Sequence, residues 1–68
     1  MTLKLKFVGF KRSEETLELR KKIRYIEILE SLGINPETVV LVKDTTPLPL
    51  DDYAEDGEVT VIRVISGG

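Results

Sequence analysis

Apolar and charged side chains alternate over the first residues of the chain. Leu3, Leu5 and Phe7 fall on one side of this segment, and two lysines fall on the other. A period of two residues is typical of a strand with one buried face, so the pattern predicts a first strand over residues 2–8. A polar stretch follows, and the alternation then resumes around Leu17, which predicts a hairpin partner for the first strand.

The period changes to that of a helix from about Ile23. The apolar positions then recur at spacings of three and four residues: Tyr25, Ile28, Leu29 and Leu32. This spacing places the four side chains on one helical face. Gly33 supplies the left-handed conformation that ends many helices, and Asn35-Pro36 prevents continuation. The start of the helix is not marked, because basic residues rather than Ser, Thr, Asp or Asn stand immediately before the pattern.

The second half of the chain predicts two further strands separated by an irregular segment. Residues 39–42 are a continuous apolar run, which is typical of a strand that is apolar on both faces. Residues 44–56 contain two prolines and several carboxylates, so we expect turns and short pieces there. The turn Asp56-Gly57 then leads into residues 58–65, the most β-prone stretch, which we expect to form the central strand.

These elements predict an α+β fold. Their order is two strands, one helix, one strand, an irregular segment and a last strand, so a mixed sheet of four or five strands would pack one face on the helix. The first and last strands can pair in parallel through the crossover, and that architecture is a β-grasp. We expect residues 1–68 to form a single β-grasp domain with a flexible Gly-Gly tail at 66–68.

Length and composition narrow the possible functions. The chain has 68 residues, and a domain of about this size buries only about 60% of the surface of its unfolded form, so a pocket that encloses a metabolite is not expected. It contains no His and no Cys, which removes the usual general base, the thiol nucleophile and the commonest zinc ligands. We therefore expect neither an enzyme nor a metal site. Without cysteine, a signal-like start or an apolar run near the roughly 20 residues that cross a bilayer, we expect a cytoplasmic protein with no membrane span.

Charge is divided unequally along the chain. Residues 1–24 carry 8 basic and 3 acidic side chains, a net of +5, whereas residues 25–68 carry 2 basic and 9 acidic ones, a net of −7. Such asymmetry can mark a surface for nucleic acid or for an acidic partner, and it can equally be a solvated surface of mixed charge. RNA binding by the basic half is an alternative function, with Phe10 as the aromatic residue expected to be exposed for stacking.

The residues after the last predicted strand are the most specific feature. Ile65 is followed by Ser66-Gly67-Gly68, so a strand runs directly into two glycines. A Gly-Gly end taken out of context is more often a frayed tail than a functional group. A strand that runs directly into two glycines in a small domain without Cys or His favours a functional tail over a frayed one.

Together these features resemble the ubiquitin-like sulfur carriers, a family that includes the thiazole-synthesis carrier, the small subunit of molybdopterin synthase and the small archaeal modifier proteins. The resemblance covers nearly the whole chain and rests on the β-grasp order, the helix end at 28–33, the segment 35–39, the Asp56-Gly57 turn and the segment 64–68. Three features depart from the pattern, one of which is a turn before the last strand that is one residue shorter. Arg24 stands where the thiazole carriers often have Thr, and residues 43–46 replace the usual Asn-Gly turn.

The resemblance implies that the carboxylate of Gly68 attacks the α-phosphate of ATP on a ubiquitin-activating-type adenylyltransferase. Sulfur from a cysteine persulfide would then displace AMP and leave a thiocarboxylate for a downstream synthase or thiolase, in thiamine thiazole, molybdopterin or tRNA thiolation. The partner would use the ATP, and no cofactor would be bound tightly here. Alternatively, activated Gly68 would form an isopeptide bond with lysines of target proteins. The family also implies a monomer that docks transiently.

A partner must also grip the folded part of the protein, and the resemblance implies the sheet face that points away from the helix. The side chains expected on that face are Lys4, Lys6, Thr60, Ile62 and Val64, with Val59 and Val61 facing the opposite way. Ile65 is assigned to the same docking surface, and Arg63 either steers the tail or solvates the strand. Ser66 and Gly67 would thread a narrow channel of the partner, for which glycine's free backbone is suited. The apolar residues could instead be β-formers scattered singly on an ordinary surface.

Overall fold

The computed structural model describes residues 1–64. In chain order the elements are β1 (Thr2–Val8), β2 (Glu14–Glu18), α1 (Tyr25–Ser31), a short 3-10 helix (Pro36–Thr38), β3 (Val39–Lys43), β4 (Thr46–Leu48) and β5 (Gly57–Arg63). Ile65 and the tail predicted at 66–68 lie outside the described residues. The single domain with a flexible tail therefore stays a prediction.

Within residues 1–64, five strands form one mixed sheet in the order β2-β1-β5-β3-β4. β1 and β5 pair in parallel, and the other neighbours pair antiparallel. β5 is the central strand and pairs with the first strand in parallel, as predicted. Since residues of α1 share a core with one face of this sheet, the architecture is the predicted α+β β-grasp.

The core lies between α1 and one face of the sheet. Alternate residues of β1 and β5 point inward from that face. Its least exposed large side chains are Leu3, Leu5, Leu29, Leu41, Val59 and Val61. Full burial of each such side chain contributes roughly 1.5–3 kcal/mol to the free energy of unfolding. The predicted parity of β5 is confirmed, because Val59 and Val61 are buried whereas Thr60 and Ile62 on the other face are half-buried.

Carbonyl groups of a distant loop satisfy the first amide groups of α1. The Tyr25 amide donates to the Asp52 carbonyl, and the Ile26 amide donates to the Leu50 carbonyl, each at 3.0 Å. Within the first turn, the Glu27 carboxylate accepts a hydrogen bond at 3.2 Å from the backbone amide of the N-cap residue, three positions earlier in the chain. The loop carbonyls replace the N-cap side chain that the sequence lacks, and the Glu27 bond is the local contribution to the start of the helix.

The end of α1 is where the sequence predicts it. Gly33 has a φ of +78°, and the Ile34 amide then donates to the Leu29 carbonyl at 2.9 Å. A left-handed residue followed by such a bond is the usual way to satisfy carbonyls at a helix terminus. α1 is seven residues long, and no helix in the described part of the chain is long and apolar enough to cross a membrane.

Two strands differ from the prediction. The alternation around and after Leu17 predicts a second strand that lies later in the chain than β2. β2 begins earlier because its polar residues pair with the lysines of β1: Glu14 lies opposite Lys6, and Thr16 opposite Lys4. The segment predicted as irregular contains β4, which pairs with β3 over three residues. β4 stands at the edge of the sheet and includes Pro47, which an edge strand tolerates because its outer side needs no amide donor.

The hairpin between β3 and β4 turns through two non-glycine residues in the left-handed region. Asp44 has a φ of +51°, and Thr45 has a φ of +65°. Two-residue hairpin loops favour Asn-Gly because both central residues need positive φ. A β-branched residue in this region is strained, so Thr45 holds the turn at a cost in backbone energy.

Replacing Thr45 with Gly should stabilise the protein by about 0.5–1 kcal/mol. Relief of left-handed strain, roughly 1–2 kcal/mol per residue, exceeds the roughly 0.5–1 kcal/mol that glycine's extra backbone entropy costs. Urea unfolding of Thr45→Gly measures the change, with Thr46→Gly as the matched control one residue into β4. The control should be destabilised, because glycine weakens a strand. A loss of stability in Thr45→Gly would contradict a strained turn.

Candidate functional site

Three apolar side chains lie side by side on the sheet face that points away from α1. The strand register places Val8 of β1 opposite Ile62 of β5, and Ile62 opposite Val40 of β3. Val8 is 52% exposed and Val40 is 41% exposed, while Ile62 between them is half-buried. We call Val8, Ile62 and Val40 the apolar row. A contiguous apolar surface is a stronger indication of docking than a singly exposed side chain.

The two lysines predicted on this face lie there, and each is matched by a carboxylate. Lys6 lies 3.4 Å from Glu58, and Lys4 lies 3.5 Å from Glu14, measured between the amine nitrogen and the nearest carboxylate oxygen. Exposed pairs of this kind contribute about 0–1 kcal/mol to stability. Their effect on the surface is to balance its charge. The face is therefore apolar around Ile62 and of mixed charge toward the other end of β5.

Sequence reasoning found part of the apolar row and missed the rest. Ile62 was predicted on this face together with Thr60, which lies opposite Lys6 in the register. Val8 continues the outward parity of β1 and could have been found from the same alternation. Val40 could not, because its position next to Ile62 depends on the antiparallel register of β3 with β5.

The chain leaves the sheet next to the apolar row. The Val64 amide donates to the Thr38 carbonyl at 2.9 Å, which ties the residue after β5 to the 3-10 helix. Val64 is 53% exposed. Its proximity to Ile62 places the start of the predicted tail beside the row.

The residues predicted to carry the chemistry follow Val64 directly. Ile65, Ser66, Gly67 and Gly68 lie outside the described residues. Attachment at Gly68, threading through Ser66 and Gly67, and docking through Ile65 therefore stay predictions.

Arg63 lies on the other side of the sheet from the apolar row. It shares the parity of Val59 and Val61, which face α1, and it extends past the core as an exposed residue. Its guanidinium carbon lies 5.7 Å from the centroid of the Phe10 ring. Arg63 is thus held against the loop that follows β1 rather than standing beside Ile62.

A cleft opens next to Arg63, with a volume of about 450 Å³. Its walls come from the loop between β1 and β2, from the residues that end α1 and start the 3-10 helix, and from the end of β5. Three of its lining residues are basic, Lys11, Arg12 and Arg63, and none is acidic. We call this the basic cleft. It was not predicted from the sequence, because its cations come from two segments that are distant along the chain.

A second cleft of about 350 Å³ lies near the start of α1 and carries balanced charge. Its lining includes Lys22 and Lys43 together with Asp52 and Glu55. Tyr25 also contacts it, and burial raises the pKa of this phenol; a hydrogen bond with the Glu55 backbone lowers it in part, and the negative charges of Glu55 and Asp52 raise it further. Among residues 1–64 there is no group of carboxylates that could hold a metal ion. We assign no chemistry to this cleft.

Comparison with known families decides the classification. The profile of the family described as small archaeal modifier protein 2 matches residues 1–65. The chain belongs to this family. It is therefore one of the ubiquitin-like sulfur carriers and modifiers that its sequence resembles.

The chain is also similar to two individual proteins. An uncharacterized protein of Archaeoglobus fulgidus is 66% identical over 68 residues, which is the whole of both chains. The sulfur carrier protein TtuB of Thermus thermophilus is 49% identical over 43 residues, covering 62% of this chain and 66% of TtuB.

The contact between the β1–β2 loop and Arg63 can be tested with two glycines. Gly9 and Gly33 both have positive φ, +88° and +78°, but a Cβ added to Gly9 would lie 3.0 Å from the Arg63 Cβ, whereas none lies within 4 Å at Gly33. Gly33→Ala should cost about 1–2 kcal/mol through its backbone conformation. Gly9→Ala should cost more, because the neighbouring strand must also shift. Equal losses in urea unfolding would contradict the close approach.

Proposed function

We propose that this protein is a ubiquitin-like sulfur carrier whose Gly68 carboxylate is activated by a partner enzyme and then carries sulfur as a thiocarboxylate. The observation that carries the proposal is the placement of the end of β5. It delivers the chain at Val64 beside an exposed apolar row, so a partner can hold the folded body and the tail together. Membership in the small archaeal modifier protein 2 family and the similarity to a sulfur carrier support it.

The first step needs no catalytic side chain from this protein. An α-carboxyl group is ionised at neutral pH, because its ordinary pKa is about 3.3–3.7. The Gly68 carboxylate would attack the α-phosphate of ATP on a ubiquitin-activating-type adenylyltransferase, which forms the acyl-adenylate and releases pyrophosphate. The chain has no Cys, so any thiol in the reaction would belong to the partner.

The second step transfers sulfur to the activated acyl group. The terminal sulfur of a partner's cysteine persulfide would attack the acyl carbon and displace AMP, which gives an acyl disulfide. A second thiol of the partner would then cleave the sulfur–sulfur bond, leaving a thiocarboxylate on Gly68 and a disulfide on the partner. A downstream synthase or thiolase would receive that sulfur, in thiamine thiazole, molybdopterin or tRNA thiolation. This chemistry explains how a sulfur-handling protein can lack cysteine.

Protein modification is the second candidate function, and the description of the matched family favours it. The same acyl-adenylate would be transferred, directly or through a thioester, to the amine of a lysine on a target protein. Both functions use Gly68 and the same docking face. They differ in whether a persulfide or an amine receives the acyl group.

The geometry of Phe10 weighs against the third function, RNA binding. Its ring packs edge-on against Phe7, with centroids 5.4 Å apart, and Arg63 stands over it. The ring expected to stack on bases is therefore engaged within the protein. Base stacking on an exposed aromatic is the usual basis of single-stranded RNA recognition.

Changes at Gly68 test the proposed activation. We expect Gly68→Ala, and deletion of Gly68, to leave thermal unfolding unchanged while lowering ATP–pyrophosphate exchange by the cognate adenylyltransferase at least about tenfold, or about 1.4 kcal/mol of transition-state stabilisation. A Cβ next to the carboxylate would obstruct the narrow approach to the α-phosphate. Equal exchange rates for wild type and both variants would contradict activation at Gly68.

Charged substitutions in the apolar row test its role in docking. Val8→Asp with Val40→Asp should raise the KM of the adenylyltransferase for this protein about tenfold, because burying an unpaired carboxylate on docking is unfavourable. The kcat should change little, since neither residue approaches the reacting atoms. Thr16→Asp is the control on the same face, located on β2 away from the row. A KM that is unchanged in the double variant, or raised equally in the control, would remove the row from the docking surface.

A further inference from the structure

We propose that the basic cleft binds an acidic peptide segment of the partner protein that docks at the end of β5. The proposal rests on the proposed function in one respect, namely that an activating enzyme approaches this end of the molecule. Its ligand class follows from the cleft itself. Lys11, Arg12 and Arg63 line it, and no acidic residue does.

The charge of the basic cleft is not balanced from within the described structure. Among residues 1–64 none of its three cations lies within 4 Å of a carboxylate, as is also the case for the basic residues at 20–24, whereas Lys4, Lys6 and Lys43 are each paired. The carboxyl end of α1 also faces the cleft, because Leu32 and Gly33 line it. A helix terminus is equivalent to about half a negative charge, and less for a short helix, so it offsets only part of three cations.

Both arginines of the cleft are held in place by aromatic rings. The Arg12 guanidinium carbon lies 5.4 Å from the Phe7 centroid, and that of Arg63 lies 5.7 Å from the Phe10 centroid. A guanidinium over a ring keeps its N–H groups free at the edge, where they can donate two parallel hydrogen bonds to one carboxylate. Because the rings restrict the side chains beforehand, less conformational entropy is lost when a ligand binds. Two such arginines suit adjacent carboxylates of a peptide.

The size of the cleft favours a peptide over a nucleic acid. A volume of about 450 Å³ accommodates a few side chains. Single-stranded nucleic acids are instead held by an extended basic groove with aromatic rings free to stack. Here the Phe10 ring is engaged by Phe7 and Arg63 and is not free to stack on bases. Asn35 and Thr38 add polar groups to the same wall.

The location of the cleft links it to the apolar row. Ile62 faces one side of the sheet and Arg63 faces the other, so the two surfaces flank the point where the chain leaves β5. A partner that holds the residues after Val64 must pass close to both. The apolar row would supply buried area, and the basic cleft would supply electrostatic attraction and orientation.

An NMR titration with a short peptide of alternating glutamate and glycine tests the cleft without any enzyme. We expect amide shifts confined to the β1–β2 loop and the end of β5, and weaker binding at higher salt. Arg12→Gln with Arg63→Gln should raise the Kd at least about tenfold, as expected for losing charge-assisted hydrogen bonds. The control is Arg20→Gln with Lys21→Gln, which changes the net charge equally beyond the opposite end of β1.

Five outcomes would overturn the proposal. Shifts spread over the surface, or an equal effect of the control variant, would mean attraction by overall charge. Tighter binding of a single-stranded RNA oligonucleotide at the same amides would assign the cleft to nucleic acid. Deletion of residues 66–68 without any peptide could move the same amide signals in the direction opposite to the peptide-induced shifts. The occupant of the cleft would then be the chain's own carboxylate. If pyrophosphate exchange with the Arg12→Gln, Arg63→Gln variant had an unchanged KM, the cleft would not contact the activating enzyme.

The same experiments separate this proposal from the proposed function. If the wild-type protein supported pyrophosphate exchange and the cleft variant supported it equally well, the proposed function would stand and the proposed role of the cleft would not. If wild type showed no exchange, the proposed function would fall, while localised peptide binding would still support the acidic ligand.

Discussion

The parallel pairing of β1 with β5 is the constraint on which the rest of the molecule depends. Its register runs from Leu3 opposite Gly57 to Val8 opposite Ile62. Because side chains alternate across a strand, this register sends Val59 and Val61 into the core beside the leucines of β1, and it sends Ile62 outward beside Val8. A slip by one residue would exchange the two faces. The buried core and the exposed apolar row are thus two consequences of one strand pairing.

Two surfaces meet at the end of β5, and under the proposed function they would contact different parts of a partner. Ile62 is directed to the apolar side and Arg63 to the basic side, and the Val64 amide fixes the exit of the chain against the 3-10 helix. Under the proposed function, the fold would present its own terminal carboxyl group to the partner. It would contribute position, buried area and charge, and the partner would supply the sulfur. A small domain without His or Cys is suited to that division.

Elements with a clear period could be predicted from the sequence, and elements fixed by distant contacts could not. β1, the apolar face of α1, the stop at Gly33 and the central β5 all follow from local patterns. The start of α1 depends on carbonyls of Asp52 and Leu50, which lie far along the chain. β4 has three residues and includes a proline, so it gives almost no periodic pattern.

The residues of the candidate site also fall into those that the local pattern predicts and those that depend on distant contacts. Ile62 and Val64 could be placed on the outer face by parity, whereas Val40 required the register of β3. The basic cleft required the loop after β1 to fold back onto Arg63, which the sequence pattern does not encode locally. The resemblance to sulfur carriers was confirmed by family comparison. It rests on the β-grasp order and on motifs spread along the chain, of which the residues that follow β5 are the most specific.

Mass spectrometry of the C-terminal peptide tests the central claim most directly, on protein purified from its native host without reducing agents. The account predicts a population of peptide heavier than the free acid by the difference between one sulfur and one oxygen atom, located at Gly68. Peptides joined through Gly68 to lysines of other proteins would show that modification is the function. A carboxylate that is entirely free, in cells grown where sulfur transfer is required, would contradict activation at Gly68.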